Sequence, residues 1–432
     1  MPTSLQGIAQ KAASQKGYRF RNLYGMLNED FLKQCWRDIR QDAAAGVDQV
    51  SAQEYEQHLD ANIYHLVERL KQKRYRAKLV RRQYIPQGDG TQRPLGIPAV
   101  EDKLLQLAVA RLLEAIYEQE FLRYSYGYRP QVGALDAVDT LTIKLQFGRY
   151  AWVVEADIKQ FFDTIDHDWM VRMLAERIDD GALLRLIRQW LNAGVLDTDG
   201  QGLHPVTGTP QGGTVSPVLA NVFLHYVLDV WFAKVVKWHC RGEACLMRSA
   251  DDGVCACENQ ADAERFYNVL GRRLEKFGLA LSGAKTRSIP FRRYRQAGET
   301  RFEFLGFEFQ GGKDRKGNDH LKRRTARKQL RSALKRFTAW CQAHRHLRLP
   351  VLFRRLHAKL RGDYNYYGVH GNTASLKEFF NQAIRILLKW LNRRSQRPSY
   401  TWQGYKGVLE RFKVARPRIV GRPKTRQATL RT

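Results

Sequence analysis

The hydrophobic and polar positions along the chain predict a helical N-terminal region followed by a pair of short strands. In residues 28–74 the apolar positions recur at helical spacing, with Asn28 or Asp42 as candidate helix caps. Residues 75–98 instead alternate between polar and apolar positions, and Gln-Gly-Asp-Gly interrupts them at 87–90. The pattern therefore predicts helices followed by a two-stranded hairpin.

Two predicted strands in the middle of the chain carry carboxylates at their ends. A β-branched run at 152–154 leads into Asp157, which predicts a strand that ends in an acid. At 246–255 two short apolar arms flank Asp251 and Asp252, which predicts a hairpin with an acidic tip. Helices are predicted before, between and after these strands, so the fold class is expected to be α+β.

The last third of the chain has a different pattern. Residues 302–309 alternate aromatic and acidic positions, which predicts two strands with a bend, and a glycine-rich break follows at 311–317. Three amphipathic helices are then predicted near 323–345, 350–361 and 374–393, each with an apolar face and a basic face. These helices are expected to form a small bundle that presents cations to a partner.

Charge separates the same two parts of the chain. The 432 residues contain 73 Lys and Arg against 43 Asp and Glu, a net charge of +30. Residues 1–290 hold 37 basic and 35 acidic side chains, whereas residues 291–432 hold 36 and 8. The basic part, including the proline-broken tail 394–432, is expected to bind phosphates of nucleic acid or of an anionic membrane surface. The uncharged stretch 200–228 contains three prolines and several glycines, so it indicates loop and core, and no membrane contact is expected.

The cysteines and the N-terminus favour a reducing, intracellular setting. The six cysteines form no CxxC pair and no disulfide framework, and no secretion signal is visible at the N-terminus. A zinc site built from Cys240, Cys245, Cys255 and Cys257 is an alternative to ordinary buried thiols, which are the favoured interpretation. The protein is expected to be cytoplasmic, bacterial in type and associated with the nucleoid.

The carboxylates have a functional and a structural interpretation. Asp157 and Asp251 are 94 residues apart in sequence, yet strands that neighbour each other in one sheet would bring them together. Phosphoryl transfer to nucleic acid commonly uses two divalent cations about 4 Å apart, held by few carboxylates and the substrate's phosphates. The alternative is that Asp251 and Asp252 only favour a solvent-exposed turn.

Several blocks, in order along the chain, resemble the group II intron reverse transcriptases, also called maturases. The blocks are YRAKLVRRQYIPQGDGTQRPLGIPAVEDKLLQ from residue 75, SYGYRPQVGALDAV at 125–138, EADIKQFFDTIDH at 155–167, GTPQGGTVSPVLANVFLHYVLD at 208–229, RSADDG at 248–253, FGLALSGAKT at 277–286, FEFLGFEF at 302–309, LRGDYNYYG at 360–368 and RRSQRPSYTWQGYKGVLERF at 393–412. The resemblance runs from about residue 17 to residue 420.

The resemblance implies a right-hand polymerase. Its expected parts are an N-terminal extension in residues 1–74 and fingers and palm in residues 75–310, the palm with an antiparallel catalytic sheet flanked by helices. A helical thumb, or maturase domain, is expected in residues 318–393, and a short basic DNA-binding-like region in residues 394–432. An RNase H domain is not expected, and the lack of a Cys/His module beyond residue 400 resembles lineages without an endonuclease.

Individual residues receive roles from the same resemblance. Asp157 and Asp251 are implied as the main ligands of two Mg²⁺ ions, with Mn²⁺ as an alternative ion, Asp252 beside them and the Ile158 carbonyl as a further ligand. One ion would activate the primer 3′-hydroxyl for attack on the α-phosphate, and the other would stabilise the leaving pyrophosphate. The residues implied to contact the incoming nucleotide are Arg93, Phe161, Phe162, Gln211 and Lys285, and those implied to hold the primer end are Phe304, Leu305 and Gly306.

The implied nucleotide contacts also have structural alternatives. Phe162, or alternatively Phe161, would lie under the sugar and exclude a 2′-hydroxyl by bulk. Either phenylalanine is equally compatible with a place in the core, and Arg93 and Lys285 with solvated surface charges.

Three positions depart from the family pattern. Ser249 stands where the family has an aromatic residue before Ala-Asp-Asp, and Gly253 stands where a large residue is usual after it. Both arms of the hairpin are therefore expected to lose bulk beside the primer terminus, which would loosen the hairpin. Gln87 stands where the family often has lysine, which lowers the positive charge near the triphosphate.

Three functions from different classes follow. The first is an RNA-directed DNA polymerase that uses dNTPs, an RNA template and a DNA primer or target, and that also binds its intron RNA in splicing and retrohoming. The second is a free-standing polymerase of the same build in DNA repair or anti-phage defence. The third is an RNA-binding maturase with lapsed polymerase chemistry, against which the three retained aspartates argue. The oligomeric state is not predicted.

Overall fold

Helices and short strands alternate through two compact units of the chain in the computed structural model. The first unit comprises residues 1–141 and 149–288, and the second comprises residues 142–148 and 289–432. The structure describes residues 4–86, 92–198, 201–203, 207–209, 212–283, 286–291, 300–314 and 316–420.

The first unit is mainly helical, with eight described strands, and the last six residues of its helix α6 and the last two of its strand β8 are grouped with the second unit. Its helices are α1 Leu5–Ser14, α2 Glu29–Trp36, α3 Ala52–Glu56, α4 Leu59–Lys71, α5 Val100–Tyr117, α6 Ala134–Phe147, α7 Phe161–Thr164, α8 His167–Ala175, α9 Gly181–Leu191, α10 Ser216–Leu224, α11 Lys237–His239 and α12 Gln260–Glu275. Its strands are β1 Val80–Pro86, β2 Gln92–Ile97, β3 Trp152–Asp157, β4 Val195–Leu196, β5 Gly202–Leu203, β6 Ala244–Ser249, β7 Asp252–Cys257 and β8 Arg287–Pro290. The predicted cap at Asn28 is confirmed, because its side chain accepts a hydrogen bond from the Phe31 N–H at 3.0 Å.

The predicted N-terminal hairpin is confirmed. β1 and β2 are antiparallel, with Arg81 opposite Ile97 and Pro86 opposite Gln92. β1 also pairs in parallel with β4, which gives a sheet of order β2-β1-β4-β5. The connecting residues, including Gln87, lie outside the described residues.

The central sheet, of order β6-β7-β3-β8, holds both of the predicted acidic strands. β7 is antiparallel to β3 on one side and to β6 on the other. Leu246 and Cys255 belong to the same buried cluster as Phe266 and Leu270 of α12, so this face of the sheet packs on that helix. The β-branched run at 152–154 thus forms a central strand with a dry face.

A single long helix crosses the core of the first unit. α10 continues through two π-helical turns, His225–Asp229 and Phe232–Val236, into α11. The whole helix, Ser216–His239, is long and apolar enough to span a membrane, but 67% of its most apolar window is buried inside the protein. That degree of burial is typical of a core helix.

The second unit joins a three-stranded sheet to a helical bundle. Its strands are β9 Arg301–Phe304, β10 Phe307–Lys313 and β11 Asp319–Thr325, in the order β11-β10-β9. Its helices are α13 Arg327–His344, α14 Leu349–Tyr367, α15 Thr373–Leu391 and α16 Trp402–Arg411. Buried residues of all four helices form one apolar cluster, which includes Phe337, Leu356, Leu387 and Tyr405.

The prediction that the first bundle helix begins near residue 323 is wrong. Residues 319–325 form β11, in which Leu321, Arg323 and Thr325 are buried in alternation and pair with β10. Arg323 is tolerated inside because its guanidinium donates to the His370 carbonyl at 3.2 Å. The basic composition of β11 resembles the polar face of a helix, so the local pattern was misleading.

The α+β class is confirmed by these helices and mostly antiparallel sheets. The predicted basic faces of the bundle are also present. The cations Lys335, Arg354, Lys359, Arg385 and Lys389 are exposed on the three helices α13, α14 and α15.

A buried carboxylate connects the first unit's N-terminal helices to α5. The carboxylate of Asp102, which is 2% exposed, accepts hydrogen bonds from the Tyr75 hydroxyl and the Lys78 N–H. The Trp190 indole donates to the Tyr75 oxygen at 3.0 Å. Burial raises the pKa of Asp102 to about 6, and the two hydrogen bonds only partly oppose it.

We expect Asp102→Asn to remove a pH dependence of stability. A raised folded-state pKa stabilises the protein below the unfolded pKa, near 3.8, and this contribution is lost as the pH rises through about 6. The wild-type free energy of unfolding, minus that of the variant, should therefore fall by about 2 kcal/mol between about pH 4 and about pH 7. Urea titrations at each pH measure this difference in the free energy of unfolding, and the exposed Asp30→Asn is the control variant. A pH-independent difference would contradict the assignment.

Candidate active site

Strand register brings the predicted acids together. In the central sheet Asp157, at the end of β3, lies directly opposite Asp252, the first residue of β7, and Ser249 lies opposite Asp252 on its other side. Directly opposed residues of antiparallel strands share a face and have Cβ atoms about 5 Å apart. Asp157, Asp252 and Ser249 therefore form one row across three strands, on the face opposite α12. This row is called the acid row below.

Asp251 sits in the tight turn that joins β6 to β7. The two-residue turn consists of Ala250 and Asp251, and Ala250 has a φ of 56°, in the left-handed region. For a residue with a side chain this conformation costs about 1 kcal/mol or more, so surrounding contacts must hold it. The acid at this position is thus presented by a strained backbone.

Gly127 provides one of those contacts. A Cβ atom on Gly127 would lie 2.3 Å from the Ala250 nitrogen, so only glycine allows this close approach. The segment before it is bonded to β6, because the Tyr126 N–H donates to the Arg248 carbonyl and the Arg248 N–H donates to the Tyr124 carbonyl, each at 2.8 Å. The segment at the start of the block 125–138 thus packs directly against β6 and the turn of the hairpin.

A short bridge supports Asp157 from the other side of β3. The Ser282 N–H donates to the Asp157 carbonyl and the Lys159 N–H donates to the Ala280 carbonyl, each at 2.8 Å. These bonds flank the pair of Ile158 and Leu281, so the backbone groups of Ile158 point to the opposite side of the strand. That side is the one on which the β6–β7 turn lies.

The two phenylalanines after Asp157 differ in their surroundings. Gln160, with a φ of 48°, turns the chain into α7. Phe161 is 1% exposed and its ring packs against Phe223 of the core. Phe162 is 8% exposed, and its ring meets that of Tyr128, which is 52% exposed. Phe162 is therefore the phenylalanine at the rim.

The loop before α10 contacts both α7 and β2. The Thr209 N–H donates to the Phe162 carbonyl at 2.7 Å, and a Cβ atom on Gly212 would lie 2.4 Å from the Gly96 carbonyl oxygen. Gly212, with a φ of 118°, thus permits backbone contact with the strand that carries Arg93. Gln211 and Lys285 lie outside the described residues, and of Arg93 only the backbone, opposite Ile85, is described.

Gly253 and Ser249, which were both expected to lower the bulk beside the primer terminus, lie on opposite faces of the hairpin. Gly253 lies opposite Arg248 and Ala156, on the face towards α12, whereas Ser249 is on the face of the acid row. Gly253 lines a cavity of about 20 Å³ together with Ile158, Asp251 and apolar residues of α12. The missing side chain at 253 therefore leaves space inside the protein, because alternate residues of a strand face opposite ways.

The predicted primer-end residues belong to the second unit. Leu305 and Gly306, with φ values of 50° and 79°, form the turn between β9 and β10, and Phe304 before them is buried. The Tyr366 hydroxyl donates to the Leu305 carbonyl at 2.9 Å. The bend predicted near Gly306 is therefore confirmed as a turn held by α14.

The donor set of the acid row fits a hard divalent cation. Aspartate carboxylates and a main-chain carbonyl are oxygen ligands, which Mg²⁺ prefers, and Mg²⁺ usually takes only one or two carboxylates before substrate phosphates complete its shell. Within the described ranges no group of three or more His, Cys, Asp or Glu side chains could hold a metal ion by itself. Cys245, Cys255 and Cys257 are buried thiols, and burial raises the pKa of Cys255 well above its usual value.

The sequence did not single out Arg248, whose side chain bonds to several of the segments that pack against the hairpin. Arg248 precedes Ser249, is 1% exposed and forms an ion pair with Asp229 of the long helix, which is fully buried. The available signal was a charged residue at an inward position of a strand, next to the acidic turn.

Comparison with known proteins places this geometry in a family. Residues 85–309, just over half of the chain, match the family described as reverse transcriptase (RNA-dependent DNA polymerase). The chain is 35% identical over 223 residues to the group II intron-encoded protein LtrA of Lactococcus lactis subsp. cremoris, which covers 51% of this chain and 37% of that protein. It is 32% identical over 227 residues to the protein YkfC of Escherichia coli (strain K12). That match covers 50% of this chain and 59% of YkfC.

The chain thus spans between about two fifths and three fifths of the length of these two relatives. A solved structure of telomerase from Candida albicans with a fragment of telomeric RNA aligns with 79% of this chain and 64% of that chain, at 14% identity and a TM-score of 0.44, which is too weak to define the fold. The family match includes Asp157, Asp251 and Asp252, the acids that the register brings together. This chain belongs to the reverse transcriptase (RNA-dependent DNA polymerase) family.

Proposed function

We propose that this protein is an RNA-directed DNA polymerase that adds dNTPs to a primer 3′-hydroxyl. The observation that carries the proposal is the acid row together with the turn beside it. In the row Asp157 and Asp252 lie opposite each other on neighbouring strands, and Asp251 is in the turn. A protein that only bound nucleic acid would have no use for three acids facing phosphates. Their retention therefore argues against an RNA-binding maturase with lapsed chemistry.

The chain's own residues would divide the work of the site. Asp157 and Asp251, with Asp252 beside them and the Ile158 carbonyl as a further ligand, would hold two Mg²⁺ ions, or Mn²⁺ in their place. When bound, these ions supply the positive charge that activates the primer hydroxyl and neutralises the pyrophosphate. The strained turn and the bridge to residues 280–282 would keep the acids oriented before substrate arrives.

The nucleotide would lie between α7, the loop before α10 and β2. The contacts of Thr209 with Phe162 and of Gly212 with Gly96 support this assignment, because they hold the three segments together. Phe162 rather than Phe161 would lie under the sugar, since Phe161 is committed to the core. Arg93, Gln211 and Lys285 would contact the phosphates and the base, as the family resemblance implies.

The remaining parts would grip nucleic acid in a right-hand arrangement of fingers, palm and thumb. The turn of Phe304, Leu305 and Gly306 would hold the primer end, and the basic faces of α13, α14 and α15 would bind the phosphate backbone of the template RNA.

We further propose that the bound RNA includes a group II intron, with a role in splicing and retrohoming. The similarity to an intron-encoded protein supports this role. A free-standing polymerase in DNA repair or anti-phage defence is the alternative, and the DNA that flanks the gene separates the two. A neighbouring sequence that folds as a group II intron supports the first, and its absence supports the second.

We expect Asp157→Asn and Asp251→Asn each to abolish primer extension, with a loss of about 10³-fold or more, because an amide binds a divalent cation poorly. RNA affinity should stay within severalfold, since backbone phosphates are bound elsewhere. Extension of a DNA primer on an RNA template with Mg²⁺ measures the first effect, and filter binding measures the second. The exposed Asp42→Asn should behave as wild type, and extension by either active-site variant would remove the metal-ligand assignment.

We expect wild-type protein to extend primers, and Ser249→Tyr to lower the KM for primer–template by about fivefold to tenfold. An aromatic ring on the face of the acid row would stack on a base, and such stacking is worth about 1–3 kcal/mol. Ser249→Ala is the matched control and should leave KM unchanged. Extension by the tyrosine form alone would mean that the native chain has lost its polymerase activity.

We expect RNA binding to weaken steeply as salt is added, because it depends on released counterions. Replacing the exposed Lys328 and Lys335 of α13 by glutamine should lower the log–log salt slope by roughly 0.7 for each phosphate that is no longer neutralised. Lys33→Gln, in the first unit, is the control. Binding that does not change with salt or with the α13 substitutions would exclude the bundle as the RNA-binding surface.

A further inference from the structure

The buried ion pair of Arg248 and Asp229 lies directly behind the acidic turn. Arg248 is the residue before Ser249 in β6, and Asp229 ends the first π-helical turn of the long helix. The Arg248 Nε donates to Asp229 Oδ1 at 2.9 Å and its Nη2 donates to Oδ2 at 2.6 Å. This two-point contact is the most directional arrangement that a guanidinium and a carboxylate can form.

The remaining donors of Arg248 reach three other supports of the hairpin. Nη2 also donates to the Ser125 hydroxyl at 2.7 Å, and Nη1 donates to Asn221 Oδ1 at 3.1 Å and to the Ala250 carbonyl at 3.2 Å. All five N–H groups of the guanidinium are therefore used. A fully satisfied network of this kind allows a single orientation.

Asn221 closes the network. Its Nδ2 donates to the Gly127 carbonyl at 2.6 Å, and Gly127 is the residue that packs on the Ala250 nitrogen. The long helix, the segment around Gly127 and the hairpin are thus joined through one buried guanidinium.

The contact with Ala250 has a specific consequence for Asp251. The Ala250 carbonyl belongs to the peptide group that joins Ala250 to Asp251, and Ala250 is held at a φ of 56°. Fixing that carbonyl fixes the plane of the peptide, and with it the positions of the Asp251 nitrogen and Cα, from which the side chain extends. Stability alone does not require an ion pair here, since a buried pair can often be replaced by apolar residues of similar volume without loss.

We propose that Arg248, oriented by Asp229, is a positioning residue that sets the Asp251 carboxylate for divalent-cation binding. The inference rests on the proposed polymerase function for its catalytic consequence. Its ion-binding consequence holds for the protein without substrate.

Three variants test the proposal. Arg248→Lys keeps the charge but cannot form the two-point contact, and Asp229→Asn keeps the shape of the partner but removes its charge. The double variant Arg248→Met with Asp229→Leu removes both charges together, so that neither is left buried alone. Arg177→Lys is the control, because Arg177 is 4% exposed and pairs with Glu120 without contacting the hairpin.

We expect the double variant to melt near the wild-type temperature and all three variants to bind Mn²⁺ more weakly. Loss of a group that orients a metal ligand typically costs about 10- to 100-fold in affinity or activity, so the Mn²⁺ Kd should rise at least about tenfold, as measured by electron paramagnetic resonance. In primer extension kcat should fall by a similar factor, the Mg²⁺ midpoint should rise, and raised Mg²⁺ should partly restore kcat. The Kd for primer–template should stay within about threefold.

Wild-type Mn²⁺ affinity and Mg²⁺ midpoint in a folded double variant would overturn the positioning role. So would weakening of the same size in Arg177→Lys, because it would show that any buried arginine matters equally. Failure of wild-type protein to extend any primer would instead count against the proposed function. The comparison of Mn²⁺ affinities among wild type, Asp251→Asn and the double variant would then still decide the positioning role.

Discussion

The candidate site depends on the antiparallel pairing of β3 with β7. Register is the constraint, because a slip by one residue would turn Asp157 or Asp252 to the other face of the sheet. Such a slip is costly because Val254 and Cys255, on opposite faces of β7, are both buried and would have to exchange surroundings. Close packing of the sheet therefore fixes the register and, with it, the positions of the acids.

The strands of the hairpin are held by apolar packing, whereas its turn is held by polar and backbone contacts. Gly253 leaves a small cavity on the inner face, and Ser249 is a short side chain on the outer one. Two contacts instead define the shape of the turn. The buried Arg248 guanidinium makes five hydrogen bonds, one of them to the Ala250 carbonyl, and Gly127 packs on the Ala250 nitrogen. The end of the hairpin, where Ser249, Ala250 and Gly253 supply little bulk, thus acquires its shape from the residues around it.

The distribution of charge follows the division of the chain. The acid row lies in a unit whose charges nearly balance, so a few carboxylates dominate their surroundings there. The second unit carries cations on the outer faces of a bundle whose interior is apolar, an arrangement suited to a phosphate backbone that is bound without base readout. Under the proposed function, long-range attraction of nucleic acid and metal binding would fall to different parts of the chain.

By itself the sequence determined the α+β class, the hairpins at 75–98 and 246–255, the three basic helices and, through its ordered blocks, the family. Periodicity and turn residues are local signals, and these elements are locally encoded. Tertiary structure alone decided that residues 319–325 form a strand, because a partner strand rather than the local pattern sets their alternating burial. It alone also committed Phe161 to the core, turned Gly253 inward and joined Arg248 to Asp229, since each of these depends on contacts between residues distant along the chain.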